Sequence, residues 1–266
     1  MKFCSDPTRR TMLATGFGLA GGSVLASFPS IAGDRPPSRD VRLIVPFTPA
    51  GATDLLARGF GDALAKRTGR MVVVENRPGA GGNLGAELAA RAAADGHTLL
   101  IAPLTIYAAG TTLQPTRAFD LVRDFAPVAT LARVPHVLVA SPGLGVANVP
   151  ALIRVARERP GRIVLASQGV GTISHLEGAL FQHMAGVEFT HVPYKGSAPA
   201  LLDLVGGRVQ IMFDSVAAAL PQIRAGRLRA LAVTTAARTA ILPDVPTVAE
   251  DGLPGYAAES WVGILV

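Results

Sequence analysis

Two short segments of the chain combine residue types suited to holding a small anion. They run from Pro49 to Asp54 and from Ser167 to His175, and each joins an apolar run to a region with helical periodicity. Their small side chains let a ligand approach the backbone, and the unpaired N–H groups and positive dipole end of the following helix attract a carboxylate. One such turn is weak evidence, because every helix needs a start. Two turns at equivalent edges of two α/β units predict a two-sided clamp for a carboxylate.

Signs of catalysis and of a bound cofactor are sparse by comparison. The Gly79–Gly85 turn departs from the dinucleotide-binding pattern because Leu84 occupies the position of its third glycine. His175 and Glu177 have no second ligand pair at helical spacing, and no serine lies in the G-x-S-x-G pattern of a hydrolase. We therefore predict no catalytic residue, no metal and no cofactor, and hence a binding protein that is not an enzyme. The remaining histidines are isolated and suggest no site: His97, His136, His183 and His191.

The first 33 residues have the pattern of an export signal. An Arg9-Arg10 pair precedes an apolar stretch at 12–28, and a small-x-small cleavage pattern ends at Ala32. The apolar stretch is short and glycine-rich for a membrane-spanning helix, and no other segment reaches spanning length. We expect cleavage near Ala32–Gly33, a periplasmic location and no stable membrane insertion afterwards. Two positions beside the arginine pair depart from the twin-arginine pattern, so the general secretory route stays open.

The composition narrows the function classes further. Hydrophobic residues make up 49% of the chain and charged residues 17%, so the chain can bury a core. The net charge of +6 suggests nucleic acid, but the basic residues are dispersed without any Lys/Arg run, so we expect no nucleic-acid partner. Aromatic residues make up 5%, too few for a sugar-stacking groove. The single cysteine, Cys4, lies in the export signal, which excludes disulfides and a cysteine nucleophile from the mature chain.

Strand and helix signals alternate through most of the mature chain. This alternation predicts an α/β fold with mostly parallel sheets flanked by helices. It occurs in two runs, separated by a long irregular passage at 103–125 that we interpret as a crossing region, so we predict two lobes. We assign residues 34–127 to lobe 1, 128–258 to lobe 2 and 259–266 to a crossing strand that returns to lobe 1. Ligands of such sheets bind beyond the carboxyl ends of the strands, which places both clamp segments and Asp214 at one cleft.

Several long motifs are similar to those of one protein family. They are Val45-Pro-Phe47 with Thr53-Asp54, VENRPGAGGN at 74–83, DGHTLL at 95–100, HVPYKGSAPA at 191–200 and LPDVPTVAE at 242–250. With them the chain resembles, from about Arg39 to Val266, the Bug family of TctC-like substrate-binding proteins of tripartite tricarboxylate transporters. The resemblance implies a two-lobed periplasmic binding protein of type II, the Venus-flytrap fold. It also implies a carboxylate ligand held largely by backbone amides and waters, and delivery to a membrane permease. We expect a monomer.

Positions that match the cleft of this family become candidate ligand contacts. The resemblance places a first clamp loop at Phe47–Asp54 and a second clamp loop at Ser167–His175. For Tyr194 and Lys195, packing within a lobe or a solvated turn is an equal alternative to ligand contact. The candidates are Phe47, Thr48, Ala50, Gly51, Ala52, Thr53, Asp54, Ser167, Gln168, Gly169, Gly171, Thr172, His175, Tyr194, Lys195, Gly196 and Asp214.

The chain departs from the family in two respects. Ala50 and Ala52 occur where the family's first loop is richer in glycine, and Val170 and Ile173 occur where its second loop has small polar residues. We therefore expect a less polar pocket that accepts a ligand with an apolar body. The sequence also stops at Val266, inside the predicted crossing strand, whereas the family continues with helices that complete lobe 1. We expect a first lobe that is incomplete.

Capture of a small carboxylate by closure of the lobes, for a tripartite tricarboxylate-type transporter, is the function that these patterns predict. The ligand classes left open are di- and tricarboxylates, amino acids and aromatic acids. Two other functions also remain open. One is an extracytoplasmic sensor that presents its closed form to a membrane signalling protein. The other is an exported hydrolase, which the absence of a nucleophile and of a metal-ligand set in the sequence disfavours.

Overall fold

The computed structural model describes residues 39–103 and 118–266. The predicted export signal at 1–33 and residues 104–117 of the predicted irregular passage lie outside the described residues. The strands are β1 (Val41–Val45), β2 (Val72–Asn76), β3 (Thr98–Pro103), β4 (Pro127–Val134), β5 (His136–Ala140), β6 (Val164–Ser167), β7 (Thr190–Pro193), β8 (Ile211–Ser215), β9 (Arg229–Val233) and β10 (Ser260–Leu265). The α-helices are α1 (Ala52–Thr68), α2 (Asn83–Ala90), α3 (Val149–Glu158), α4 (Ile173–Ala185), α5 (Ser197–Val205) and α6 (Val216–Arg224).

The first sheet has the strand order β2-β1-β3-β10-β4 and is the centre of lobe 1. Its strand β1 runs parallel to β2 and β3, whereas β10 runs antiparallel to β3 and β4. Both faces of β1 are covered: Ile44 packs with Leu100 on one face, and Leu43 packs with Ile101 on the other. A strand buried on both faces needs consecutive apolar residues, and Leu43, Ile44 and Val45 provide them. Arg42 is the one charged residue of β1, and its guanidinium pairs with Glu75 on β2.

The second sheet has the strand order β7-β6-β8-β5-β9 and is the centre of lobe 2. Its strand β6 runs parallel to β7 and β8, whereas β5 runs antiparallel to β8 and β9. Helices α3 and α4 cover one face through Leu152 and Phe181, and α5 and α6 cover the other through Leu204 and Val216. Full burial of each large apolar side chain contributes about 1.5–3 kcal/mol, so this two-sided core stabilises lobe 2.

The point at which the chain passes between the lobes differs from the prediction. Lobe 2 is predicted to begin at residue 128, but β4 pairs with β10 in the first sheet. The chain therefore enters the second sheet at Pro135, directly before β5. Both β4 and β5 are short extended runs with apolar residues, and composition does not specify which sheet such a strand joins. The sheets are also mixed and not mostly parallel as predicted, because β10 in the first sheet and β5 in the second run antiparallel to their neighbours.

Two crossing segments connect the lobes, and one threonine ties them together. The N–H of Thr234 donates to the carbonyl oxygen of His136 at 3.0 Å, and its hydroxyl donates to the carbonyl oxygen of Ala258 at 2.9 Å. The N–H of Ala258 donates in turn to the carbonyl oxygen of Thr234 at 2.9 Å. His136 follows the first crossing and Ala258 precedes the second, so these bonds hold the two crossings side by side at the base of the cleft.

Candidate functional site

A single buried carboxylate shapes the first clamp loop. Asp54, in the first turn of α1, accepts hydrogen bonds from the Ala50 N–H at 3.0 Å, from Asn76 Nδ2 at 2.9 Å and from the Arg58 guanidinium at 3.0 and 3.1 Å. Asn76 also donates to the carbonyl oxygen of Phe47 at 3.0 Å. Burial by itself would raise the pKa of Asp54, but these hydrogen bonds and the charge of Arg58 lower it below its ordinary value. Asp54 therefore organises the loop instead of facing a ligand as a free charge.

The same loop contains a strained alanine. Ala50 has φ of 68°, in the left-handed region that glycine adopts without steric cost. An alanine in this conformation costs roughly 1–2 kcal/mol. The hydrogen bond from the Ala50 N–H to Asp54 holds the strained conformation in place. Gly51 follows as the N-cap of α1, and Ala52 is the first residue of that helix, so the start of α1 is directly at the cleft.

Backbone amides of the second clamp loop already donate to acceptors within the loop, among them those of Gly169 and Gly171. The N–H of Gly169 donates to Ser167 Oγ at 3.2 Å, and the N–H of Gly171 donates to His175 Nδ1 at 3.2 Å. The hydroxyl of Thr172 donates to the carbonyl oxygen of Gly169 at 2.7 Å. We predicted that the backbone of this loop faces the ligand, but these two amides already have acceptors in the protein. Its backbone is therefore less available to an anion than predicted.

The histidine of this loop supports the loop itself. The ring of His175 stacks on that of His191, with the centroids 4.3 Å apart, and His191 Nε2 lies 2.6 Å from Ser167 Oγ. Burial lowers the pKa of His175, and burial together with the nearby His175 lowers the pKa of His191 to about 4. Both rings are therefore neutral at neutral pH and provide no positive charge for an anionic ligand.

The two lobes touch each other on both sides of the cleft. A Cβ atom added at Gly196 would overlap Thr48 Oγ1, and one added at Gly81 would overlap the carbonyl oxygen of Val170. Each of these contacts joins a loop of lobe 1 to a loop of lobe 2. The glycines are thus required at these positions for the lobes to approach as closely as they do.

A small cavity lies between the lobes at the clamp loops. Its volume is about 20 Å³, which is room for about one water molecule. A larger ligand therefore enters only when the contacts at Gly196 and Gly81 open. Lobe 1 and the β10 crossing line the cavity with Phe47, Gly51, Ala52, Thr53, Val134, Ser260 and Val262, and lobe 2 lines it with His136, Gln168, Ser197 and Ser215.

The lining includes only part of the predicted contact set. Phe47, Gly51, Ala52, Thr53 and Gln168 are lining residues that the sequence predicted. By contrast, the Tyr194 hydroxyl donates to an Asp203 carboxylate oxygen at 2.8 Å, and the side chain of Lys195 is exposed, so neither faces this cavity. The other ten predicted residues do not line the cavity: Thr48, Ala50, Asp54, Ser167, Gly169, Gly171, Thr172, His175, Gly196 and Asp214.

Six lining residues were missed by the sequence analysis. Ser197 and Ser215 directly follow predicted contacts and begin or cap α5 and α6, so their place at a helix start was a usable signal. The other four belong to the crossing segments, and no loop motif marks them: Val134, His136, Ser260 and Val262.

Asp214, at the end of β8, orients the polar side chains of lobe 2. Its Oδ1 accepts hydrogen bonds from Gln168 Nε2 at 2.6 Å, from Ser197 Oγ at 2.8 Å and from the Ser215 N–H at 2.7 Å. Its Oδ2 is buried and has no hydrogen-bond partner among the described residues. Burial raises the pKa of Asp214, while the charge of His136 and these hydrogen bonds oppose the increase.

A buried ion pair lies between β5 and α4, where the chain enters lobe 2. His136 Nδ1 is 2.8 Å from Glu177 Oε2, and the two side chains are 3% and 0% exposed. Burial by itself would lower the pKa of His136, but the charge and hydrogen bond of Glu177 and the charge of Asp214 raise it above its ordinary value. Glu177 therefore pairs with a histidine 41 residues away and not with His175, its neighbour in sequence.

The described part of the chain contains neither a cluster of metal-ligating side chains nor a helix suited to crossing a membrane. Within residues 39–103 and 118–266, no three His, Cys, Asp or Glu side chains are grouped so that they could hold a metal ion. None of the helices in those two ranges is both long enough and apolar enough to span a bilayer.

Two α/β lobes that close over a small polar cavity define a two-lobed solute-binding protein. The family profile of the tripartite tricarboxylate transporter family receptor, TctC, matches residues 56–266, and the chain belongs to this family. The predicted Bug/TctC resemblance and the two-lobed α/β class are thereby confirmed. Members of the family are periplasmic binding proteins and not enzymes, which removes the exported hydrolase as an alternative.

One sequence relative and two solved structures with bound ligands agree with this family assignment. The protein BugT of Bordetella pertussis is 40% identical over 239 residues, which are 88% of this chain and 72% of BugT. The structure described as R. palustris Rpa4515 with adipate has a TM-score of 0.84 at 43% identity, covering 86% of this chain and 77% of that one. MatC (Rpa3494) from Rhodopseudomonas palustris with bound malate has a TM-score of 0.82 at 35% identity, covering 86% of this chain and 78% of that one.

Proposed function

We propose that the protein is an exported receptor that captures a small dicarboxylate with an aliphatic body between its lobes. It delivers this ligand to the permease subunits of a tripartite tricarboxylate-type transporter and works as a monomer. The observation that carries the proposal is the cavity between the lobes, because hydrogen-bond donors from both lobes meet there around a small apolar surface.

Three helix starts border the cavity and favour an anion. Gly51 caps α1, Ser197 is the first residue of α5, and Ser215 caps α6, and all three line the cavity. The positive dipole ends of these helices attract a carboxylate without a fixed positive charge. At α6 the N–H groups of Ser215 and Val216 already donate within the protein, so this helix contributes its dipole and not these N–H groups. The hydroxyl groups of Thr53 and Ser260 add further donors from the side of lobe 1.

The apolar part of the lining suits an aliphatic chain. Phe47, Val134 and Val262 line the cavity from lobe 1 and from the β10 crossing. This agrees with the expectation of a less polar pocket. A dicarboxylate with a short methylene chain presents polar ends and an apolar middle, which matches this distribution. The relatives described with adipate and with malate support the same ligand class.

Thermal unfolding of the exported, processed protein in the presence of organic acids tests the proposal. The set contains monocarboxylates, the linear dicarboxylates from succinate to adipate, citrate, benzoate and amino acids. We expect a linear dicarboxylate to raise Tm, since a ligand at 100 times its Kd stabilises the folded form by about 2.7 kcal/mol. A cooperative transition that no acid shifts would contradict the receptor function. A clear preference for citrate would contradict the aliphatic ligand body.

A further inference from the structure

One ionisable side chain faces the cavity and has no part in the proposal so far. Among the described residues that line the cavity, His136 is the only one with an ionisable side chain. The residue is 2% exposed and lies at the first position of β5, directly after the crossing from lobe 1. His136 therefore borders the space between the two lobes, where a ligand held by both would lie.

Glu177 keeps this imidazole in a defined orientation and charge state. The carboxylate of Glu177 is fully buried, and His136 Nδ1 is its hydrogen-bond partner, at 2.8 Å from Oε2. The other oxygen, Oε1, has no partner among the described residues. A buried carboxylate needs a cation or several donors, so this pair favours the protonated ring with Nδ1 as the donor. The Tyr256 hydroxyl donates at 3.1 Å to the backbone carbonyl oxygen of Glu177 in α4. It does not bind the carboxylate of Glu177, which His136 contacts.

The remaining groups around His136 favour the same charge state. Asp214 approaches it from β8, and its negative charge raises the pKa of His136 further. The described residues that line the cavity from lobe 1 include no acid and no base. With Nδ1 engaged by Glu177, Nε2 is the ring nitrogen that remains for the cavity, and in an imidazolium this nitrogen carries a hydrogen.

We propose that His136 is a specificity-determining residue of the cleft, whose imidazolium, held by Glu177, donates from Nε2 to one carboxylate of a dianionic ligand. The inference rests on the proposed function and deepens it. Hydroxyl groups and helix starts can hold one carboxylate, whereas a second carboxylate taken out of water needs a positive charge close by. His136 therefore favours acids with two carboxylates over acids of the same length with one.

The charge state of His136 is measured without any ligand. In protein with ¹⁵N-labelled histidine, we expect the His136 ring to have imidazolium shifts at pH 7, and Glu177→Gln to lower its titration midpoint. His183→Asn, at an exposed position on the same helix, confirms the assignment of the signals and leaves that midpoint unchanged. A neutral His136 ring at pH 7 in the wild-type protein overturns the inference.

Selectivity is measured by calorimetry with matched pairs of acids, succinate with butyrate and adipate with hexanoate. For His136→Asn we expect the diacid-to-monoacid affinity ratio to fall about tenfold or more, the effect of one lost charge-assisted hydrogen bond. His183→Asn keeps the wild-type ratio. If His136→Asn does not fold, Glu177→Gln takes its place, because it keeps the ring and removes the charge that holds it.

The possible results separate this inference from the proposed function. If the wild-type protein binds a diacid and the ratio is unchanged in a variant whose Tm has fallen, His136 is only a structural tie between β5 and α4. In that case the inference is wrong and the receptor function stands. If the wild-type protein binds none of these diacids, the dicarboxylate receptor function itself is wrong and the inference is wrong with it.

Discussion

The two walls of the cleft each contain a buried aspartate, and the structure holds them in opposite ways. In lobe 1, the guanidinium of Arg58 and two further donors surround Asp54 and lower its pKa in spite of burial. In lobe 2, Asp214 has no Lys or Arg partner among the described residues, its donors all approach one oxygen, and its pKa is raised. The two residues are 2% and 0% exposed, so exposure alone does not explain the difference: Asp214 lacks the guanidinium that offsets the effect of burial on Asp54.

The difference shows which wall responds to a ligand. Asp54 and Arg58 pair with each other and neither lines the cavity, so this pair stabilises a loop and does not meet an incoming acid. Lobe 2 instead keeps Asp214, His136 and Glu177 as a buried set that has no arginine or lysine partner among the described residues. Its charge depends on protonation and on what lies in the cavity. We therefore expect lobe 1 to contribute shape and lobe 2 to contribute charge selectivity.

The largest expected difference between the two walls is in the unfolding free energy lost when each aspartate is replaced by asparagine. Asp54→Asn replaces an acceptor oxygen by a donor that faces Arg58 and the Ala50 N–H, so we expect a loss of about 2–3 kcal/mol of unfolding free energy. Asp214→Asn keeps an oxygen that can accept from Gln168 and Ser197, so we expect a change of about 1 kcal/mol or less. Urea unfolding at pH 7 measures both, and equal losses would contradict the comparison.

Keeping the walls apart should weaken ligand binding without unfolding either lobe. In Gly81→Ala, the new methyl group overlaps the carbonyl oxygen of Val170 across the cleft, which costs the closed form about 2 kcal/mol. The affinity for a bound dicarboxylate then falls roughly 30-fold. Gly69→Ala is the matched control, since its φ of +69° is close to the +63° of Gly81 and nothing lies within 4 Å of its added Cβ. Calorimetry compares the two variants, and equal affinities would show that this contact does not limit closure.

The pH dependence of stability should have opposite signs for the two aspartates. The lowered pKa of Asp54 means that its contribution is present above the unfolded value of about 3.9 and is lost as the pH falls through the folded value. The raised pKa of Asp214 means that its contribution is present below about 3.9 and is lost as the pH rises through the folded value.

Urea unfolding between pH 3 and pH 8 checks these signs. The stability advantage of the wild-type protein over Asp54→Asn should shrink towards acid. Its stability relative to Asp214→Asn should decrease towards alkali. Slopes of the same sign for both pairs would contradict the assignment.

The smallest expected effect concerns the strained alanine of the first clamp loop. Ala50→Gly relieves a left-handed φ of 68° but loosens the unfolded chain, so we expect a net gain of about 0.5–1 kcal/mol. Ala63→Gly, at an exposed position inside α1, should lose a similar amount and serves as the control. Thermal unfolding of the two variants should therefore move Tm in opposite directions.

Much of the site was predictable because it depends on local signals. The two clamp loops follow from apolar strands that end in small residues before a helical stripe, and the sequence places both correctly between strand and helix. The role of Asp54 was not predictable in the same way. Its partner Asn76 is the last residue of β2, 22 residues away, and only the pairing of β1 with β2 brings the two side chains together.

Local sequence patterns were enough to predict the family, the alternation of strands and helices, the two lobes and the positions of the clamp loops, because each depends on residues close together in the chain. Long-range contacts, by contrast, place β4 in the first sheet and bring His136 to the cavity with Glu177 beside it. They also give the two cleft aspartates opposite pKa shifts. These features depend on strand pairing and on contacts between residues far apart in the chain. Such contacts set the desolvation and the charge around a group, and no local pattern records them.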